Sequence, residues 1–191
     1  MKAAFLNKID RSWTLFLDRD GVINHETEGD YVTNWSEFHF YDGVKDAMTF
    51  FATIFNRIIL VTNQRGVSKG LMDEADLKEI HLNMLGALES HGGRIDRIYY
   101  CTDLDDISHN RKPNPGMGLQ AKKDFPEIDF NKAIMIGNTM GDMQFGKNIG
   151  TYTIFISSNR PAPVMPNSLV DAVYPTLISV AKDIRLHTTQ R

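Results

Sequence analysis

Four short, largely apolar runs limit what this chain can become. They are Thr14–Leu17, Ile58–Val61, Ile95–Cys101 and Ala133–Gly137, and each breaks directly into a polar exit. Apolar residues that follow one another without alternation suit strands buried on both faces. A fifth run, Thr151–Ile156, and a candidate edge strand, Val170–Tyr174, come later. Between the runs the spacing turns helical, as in Val44, Ala47, Met48 and Phe51, or Leu77, Ile80, Leu82, Met84, Leu85 and Leu88. Asp42 and Asp73 are N-cap candidates, and Asn114-Pro115 reads as an N-cap with proline at the first helical position. Further helices are expected from there towards Phe125, through Met143, Phe145 and Ile149, and over about Leu177–Leu186. Strands alternating with helices predict an α/β, Rossmann-like three-layer sandwich with a mainly parallel sheet. Ligands bind such sheets beyond the carboxyl ends of the strands, so the polar exits are the places to look for chemistry.

A chain of 191 residues suits one domain, expected over 1–191. A small flap is expected at about 24–41, where a polar stretch, His25–Asp30, precedes Tyr31, Trp35, Phe38, Phe40 and Tyr41. The net charge of −3 and the lack of a long basic run argue against nucleic acid or an anionic membrane as partner. Cys101 is the single cysteine, so there is no disulfide framework, and a reducing, cytoplasmic setting is expected. No stretch reads as a signal peptide or a membrane span. A monomer is expected. Neither Gly-x-Gly-x-x-Gly after the first strand nor a P-loop is present, which disfavours dinucleotide and nucleoside-triphosphate sites of those kinds.

The first exit is Asp18-Arg19-Asp20-Gly21. Strand residues two apart point to the same side, so Asp18 and Asp20 converge if the chain stays extended, and Gly21 permits a sharp turn. Two acids there suit a metal, or a nucleophile beside a general acid. The second exit holds Thr62-Asn63-Gln64-Arg65-Gly66, the third leads to Arg111-Lys112, and the fourth holds Asn138 to Asp142. Carboxylates repel a phosphate dianion, so a phosphoryl site here needs Lys112 and Mg²⁺. Hard oxygen ligands from Asp18, the Asp20 carbonyl and the fourth exit suit that ion. Asp18 would attack phosphorus, Asp20 would protonate the leaving oxygen and later activate water, and Thr62 would hold phosphoryl oxygens.

These four signatures, in this order, resemble the haloacid dehalogenase-type phosphatases. The match rests on Asp18–Asn24, Val61–Gln64, Arg111–Met117 and Ile136-Gly137 through Asp142-Met143, and runs from about Leu15 to Ile156. Tyr31-Val32 and Ile98–Cys101 add a likeness to the heptose-bisphosphate and histidinol phosphatases within that group. The resemblance implies a capless fold and a Mg²⁺-dependent phosphomonoesterase working through an aspartyl-phosphate. Its substrate would be a small phosphorylated sugar, first D-glycero-D-manno-heptose 1,7-bisphosphate losing the 7-phosphate. Histidinol phosphate, another sugar phosphate, or a catalytically impaired metabolite-binding role are the alternatives. It implies Asp18, Asp20, Thr62 and Lys112 as catalytic residues, and Asp18, Asp20, Asn138 and Asp142 around the metal. Arg19, Glu26, Tyr31, Asn63, Gln64, Arg65 and Arg111 would bind substrate. A polynucleotide 3′-phosphatase would want a basic groove, against which stand the net charge and Glu26, Glu28 and Asp30.

Two departures from the resemblance matter. Asn138 stands where these phosphatases usually carry a metal-binding aspartate, and Thr139 where a lysine is usual. Weaker metal affinity is expected, with Asn138→Asp tightening it. Asp142 reads equally as a metal-shell carboxylate or as N-cap of a helix beginning at Met143. Where relatives carry a structural Cys-x-His…Cys-x-Cys zinc site, this chain has Cys101, Asp103, Ser108 and Asn110, with His109 between the last two. No structural zinc is expected, and the loop would be held by packing and hydrogen bonds.

Overall fold

A computed structural model describes residues 4–26 and 31–188. Its strands are β1 (Thr14–Leu17), β2 (Arg57–Asn63), β3 (Arg97–Cys101), β4 (Ala133–Gly137), β5 (Tyr152–Ile156) and β6 (Ala172–Tyr174). Its helices are α1 (Val44–Ile54), α2 (Arg65–Ser68), α3 (Glu74–Glu89), α4 (Gly116–Asp124), α5 (Met140–Ile149) and α6 (Leu177–Thr188). Every strand pairing is parallel, in the order β3-β2-β1-β4-β5-β6.

The continuous apolar runs explain the layers. Leu15, Leu17, Ile58, Leu60, Ile134 and Ile136 face α1, α3 and α6, whereas Phe16, Ile59, Val61, Ala133 and Met135 face α4 and α5. Leu15, Phe16, Leu17, Ile58, Ile59 and Leu60 are completely inaccessible to solvent. Each such leucine, isoleucine or phenylalanine contributes roughly 1.5–3 kcal/mol by leaving water. The chain steps from β1 outward to β2 and β3, then returns to β4 on the other side of β1. Right-handed crossovers running in opposite directions put their helices on opposite faces, and the reversal opens a crevice at the ends of β1 and β4.

Helix starts show where local chemistry was decisive and where it was not. Asp73 caps α3 as expected, in a reciprocal box in which it accepts from Asp76 N at 2.8 Å and Asp76 accepts from Asp73 N at 2.9 Å. Asp42 does not cap α1; the N-cap is Gly43, at φ 75°, with no side-chain bond. Helix α4 starts one residue later than expected, with Pro115 as N-cap. The single turn α2 carries too few residues for a periodicity signal. Among the described residues, no helix is long and apolar enough to cross a membrane.

The flap expected at about 24–41 lies partly outside the described residues, since 27–30, with Glu28 and Asp30, are not among them. Its base is zipped: His25 N donates to His39 O at 2.8 Å and Tyr41 N to Ile23 O at 3.1 Å. Trp35 stacks on Phe38 at 5.0 Å, and Phe38 meets Phe40 edge-on at 5.0 Å. These aromatics pack the segment onto the core.

Candidate active site

Register brings the exits together. Leu17 pairs with both Leu60 and Ile136, and Asp18 N still donates to Ile136 O at 3.0 Å. The backbone therefore stays extended one residue past β1 and delivers Asp18 between the exits of β2 and β4. Asp18 Oδ1 accepts from Arg19 N at 2.8 Å and pairs with Lys112 Nζ at 2.9 Å. Lys112 Nζ also donates to Asp142 Oδ1 at 2.5 Å. All three side chains are buried, so two carboxylates share one ammonium. Burial, and then the neighbouring Asp142, push the Asp18 carboxyl up to about 7 against the pull of Lys112. Burial works against the Lys112 charge, but Asp142 and Asp18 outweigh it and hold that ammonium above its ordinary range.

Asp20 is fixed by a different set. Arg19, wholly buried, donates through Nε to Oδ1 at 3.1 Å and through Nη2 to Oδ1 and Oδ2 at 3.0 and 3.1 Å. Gln64 Nε2 donates to Oδ2 at 2.8 Å and Asn24 Nδ2 to Oδ1 at 2.9 Å. Burial raises the Asp20 carboxyl, yet the Arg19 charge and the bonds from Asn24 and Gln64 prevail and hold it below the carboxylate range. Behind Arg19, Nη1 lies 3.3 Å from His81 Nε2. Burial, and then the arginine charge, hold that imidazole down to about 3, so it is neutral and accepts from Arg19.

Several residues expected to bind the sugar line the cleft and also hold its other side chains in place. Arg19 and Gln64 lock Asp20, and Gln64 Oε1 also accepts from Arg19 Nη2 at 3.2 Å. Asn63 clamps the backbone of Lys112: Nδ2 donates to its carbonyl at 3.0 Å, and Oδ1 accepts from its N–H at 3.1 Å. Thr62 is buried and is not among the cleft-lining residues; its Oγ1 accepts from Gln64 Nε2 at 2.9 Å, a bond that leaves its own O–H proton unused. Asp142 is not the N-cap of a helix beginning at Met143. Thr139 caps α5, and Asp142 closes the box: Oδ2 accepts from Thr139 N at 3.0 Å and Oγ1 at 2.6 Å. With Oδ1 on Lys112, both oxygens of Asp142 are engaged. This tight start of α5 requires Gly137, because a Cβ there would lie 2.2 Å from Asp142 Cβ.

Asn138 is fully buried at the β4 exit. Its Nδ2 donates to Glu26 Oε2 at 2.9 Å and Asn159 Oδ1 at 3.1 Å. Its Oδ1 is buried without a hydrogen-bond partner among the described residues. A buried acceptor with no donor is costly, and Asn138 lines the same cleft as Asp18. That all-oxygen donor set fits a hard divalent cation such as Mg²⁺. The first turn closes against the same amide: Gly21 has φ 78°, and a Cβ on it would fall 1.8 Å from Asn138 Nδ2. Gly21→Ala is therefore expected to displace Asn138 and lower Mg²⁺-dependent turnover by about 100-fold, the scale of an ångström-level misplacement. Metal titration of activity, with a melting curve to confirm folding, checks this.

The cleft has a volume of about 340 Å³, within the range of small-molecule sites. Arg65 and Arg111 line it and share one partner, the exposed Asp106: Arg111 Nε donates to it at 3.0 Å, and Arg65 pairs with it closely. Tyr31 also lines the cleft, beside Gly66 and with Lys69 Nζ 5.0 Å from its ring centroid. The loop bearing Lys112 is tied by hydrogen bonds. Cys101 Sγ donates to Asp103 Oδ2 at 3.5 Å, Ser108 bonds the same carboxylate, and Asn114 Nδ2 donates to Asp106 O and Ser108 O at 3.0 and 2.8 Å. His109 is exposed. Asn24, His81, Asn159 and Arg160 were missed from sequence. Asn24 at least stands inside the Asp18–Asn24 signature, whereas His81 lies on α3 and the other two in a proline-rich loop after β5.

A family model described as polynucleotide kinase 3 phosphatase matches residues 14–162. The D-glycero-alpha-D-manno-heptose-1,7-bisphosphate 7-phosphatase of Mycobacterium bovis is 32% identical over 166 residues, covering 86% of this chain and 87% of that protein. The chain belongs to the haloacid dehalogenase-like phosphatases. Another phosphatase of this family, the D-glycero-beta-D-manno-heptose-1,7-bisphosphate 7-phosphatase of Photorhabdus laumondii, is 32% identical over 181 residues, covering 90% of this chain and 94% of its own. Among solved structures, the D,D-heptose 1.7-bisphosphate phosphatase from B. bronchiseptica, complexed with magnesium and phosphate, superposes with a TM-score of 0.82 at 27% identity, over 91% of this chain and 98% of that one.

Proposed function

We propose that this phosphatase takes one phosphate from a small phosphorylated sugar, with a heptose 1,7-bisphosphate as first candidate and the 7-phosphate as the group removed. The observation that carries the reading is the buried Asp18–Lys112–Asp142 cluster beside an independently locked Asp20. Both hydrogen bonds to Asp18 fall on Oδ1, so attack is assigned to Oδ2. Asp18 forms an aspartyl-phosphate as the sugar oxygen leaves with a proton from Asp20. Asp20 then takes a proton from water as that water attacks phosphorus, releasing inorganic phosphate and restoring Asp18. Asp20 is ionised at rest, and an arriving phosphate dianion raises its proton affinity. Mg²⁺ held by Asp18, the Asp20 carbonyl and Asn138 supplies positive charge to the transferring phosphoryl group. Asp142 aims Lys112, and its two oxygens are shared between that ammonium and Thr139.

The mouth supports a bisphosphate. Arg65 and Arg111 already hold an exposed carboxylate, and a second phosphate group would take the place of Asp106. The description of the matching family model raises a polynucleotide substrate as a second reading. Such a substrate needs a row of cations along its backbone, whereas Arg65 and Arg111 converge on one carboxylate, Asp106, which suits a single further phosphate, and Arg160 pairs with Glu26. Cys101 is the only cysteine of the chain and is free, which suits a reducing, cytoplasmic setting.

Phosphate release with Mg²⁺ from both anomers of the heptose bisphosphate, histidinol phosphate, hexose phosphates and a 3′-phosphorylated oligonucleotide tests this. A heptose bisphosphate should give the highest kcat/KM. Arg111→Ala should raise KM for the bisphosphate by about 10- to 100-fold, as expected for a lost charge-assisted contact, and change monophosphate KM little. A best rate on the oligonucleotide would sink the reading.

A further inference from the structure

The carboxylate that is missing at position 138 stands one hydrogen bond away. We propose that Glu26 supplies, through the Asn138 amide, the negative charge the metal site lacks, and that Asn159 and Arg160 hold it there. This makes Glu26 a positioning residue, and the inference rests on Asn138 being a Mg²⁺ ligand.

Glu26 is an acceptor-only group, so the amide atom facing it must be Nδ2. Both Nδ2 protons are then used, one on Glu26 and one on Asn159, which fixes the amide plane and leaves Oδ1 as the free end. Asn159 bridges the pair: its Oδ1 accepts from Asn138, and its Nδ2 donates to Glu26 Oε2 at 2.9 Å. Arg160 Nη2 donates to Glu26 Oε1 and Oε2 at 3.1 and 3.2 Å. Both Glu26 oxygens are thus engaged, which argues against the sugar contact first expected of it. A carboxylate accepting from an amide N–H draws charge onto the amide oxygen, since linked hydrogen bonds polarise one another in a low-dielectric setting. Carboxylates behind metal-binding histidines raise ligand basicity in the same way.

One consequence reverses the expectation drawn from sequence. Asn138→Asp would face the Glu26 carboxylate across a gap that is now a 2.9 Å hydrogen bond. The added charge on the metal is offset by repulsion and by the loss of two donors.

The test titrates Mg²⁺ alone into metal-free protein by calorimetry, with no substrate present. Melting curves without metal establish that each variant folds. Asn138→Ala and Glu26→Gln should each weaken Mg²⁺ binding by about tenfold, the low end for groups supporting a metal site. Asn138→Asp should not tighten binding in the wild-type background but should do so by about tenfold in the Glu26→Gln background, as expected for a strongly coupled pair. Arg160→Met, which leaves Glu26 in place but unanchored, should weaken binding in the same direction and serves if Glu26→Gln does not fold. An unchanged affinity in Glu26→Gln (or in Arg160→Met, if that variant stands in) with Asn138→Ala weakened overturns the role of Glu26 alone, as does an additive cycle. An unchanged affinity in Asn138→Ala overturns the metal assignment as well.

Discussion

Asp18→Asn is expected to abolish turnover and yet to raise the melting temperature of the metal-free protein at pH 8. Asparagine cannot form the acyl-phosphate, so kcat should fall by at least about 10³-fold. The stability effect follows from the buried cluster, where two carboxylates face one ammonium. The Asp18 carboxyl is raised to about 7, so the folded state binds its proton more tightly than the unfolded chain does. Stability of the wild type therefore falls as pH rises from the ordinary carboxylate range towards 7, and stays lower above it. The variant lacks that loss, which is on the order of a few kcal/mol. Its advantage should shrink as pH falls towards 4 and disappear below that, where the wild-type carboxyl is protonated in both states. Mg²⁺ should raise the melting temperature of the wild type and leave the variant nearly unmoved. Calorimetry at pH 5 and pH 8, with and without Mg²⁺, reads all of this; a variant less stable than wild type at pH 8 without metal would contradict the charge argument.

Lys112→Met makes the opposite demand on the same cluster. Methionine keeps the bulk and removes the charge, leaving Asp18 and Asp142 buried together. Breaking a buried ion pair from one side typically costs about 3–5 kcal/mol, or about 10 °C in melting temperature for a domain of this size. Because Lys112 titrates above its ordinary range, its contribution is fully present at pH 8 and is lost only as pH rises through that raised value. The deficit of the variant should be largest at pH 8 and smallest near pH 5, where the unpaired carboxylates take up protons. Turnover should fall about 10²- to 10³-fold, the scale for removing one group that stabilises developing charge. Combining Lys112→Met with Asp18→Asn removes one carboxylate as well and should recover part of the lost stability. A melting temperature within a degree or two of wild type at pH 8 would show that the cluster is not electrostatically coupled as described.

These two side chains also show how a site is built in layers. Asp18 and Lys112 hold opposite ends of one ion pair, and Lys112 is placed by residues far from it in sequence. Asn63, at the end of β2, grips the backbone of Lys112, and Asp142, at the start of α5, grips its ammonium. A site loosened at either grip keeps its chemistry on paper and loses its geometry.

The apolar runs determined the sheet and its layers by themselves, because a strand covered on both faces leaves no other arrangement for uninterrupted Leu, Ile, Val and Phe. The order of the exits determined the reaction class, since an acid pair, a lysine and hard oxygen ligands have few joint uses around phosphate. The division of labour among the polar residues was decided only in three dimensions. Arg19, Asn63 and Gln64 read from sequence as substrate contacts, and only the fold shows that they also hold Asp20 and the backbone of Lys112. Asp142 reads from sequence as a metal-shell carboxylate or an N-cap, and only the fold shows its oxygens on Lys112 and Thr139. Glu26 and Asn159 meet Asn138 across sequence separations of 112 and 21 residues, and Arg160 meets Glu26 across 134. Hydrogen bonds between strand exits depend on sheet order and register, and no local spacing encodes which amide will face which carboxylate.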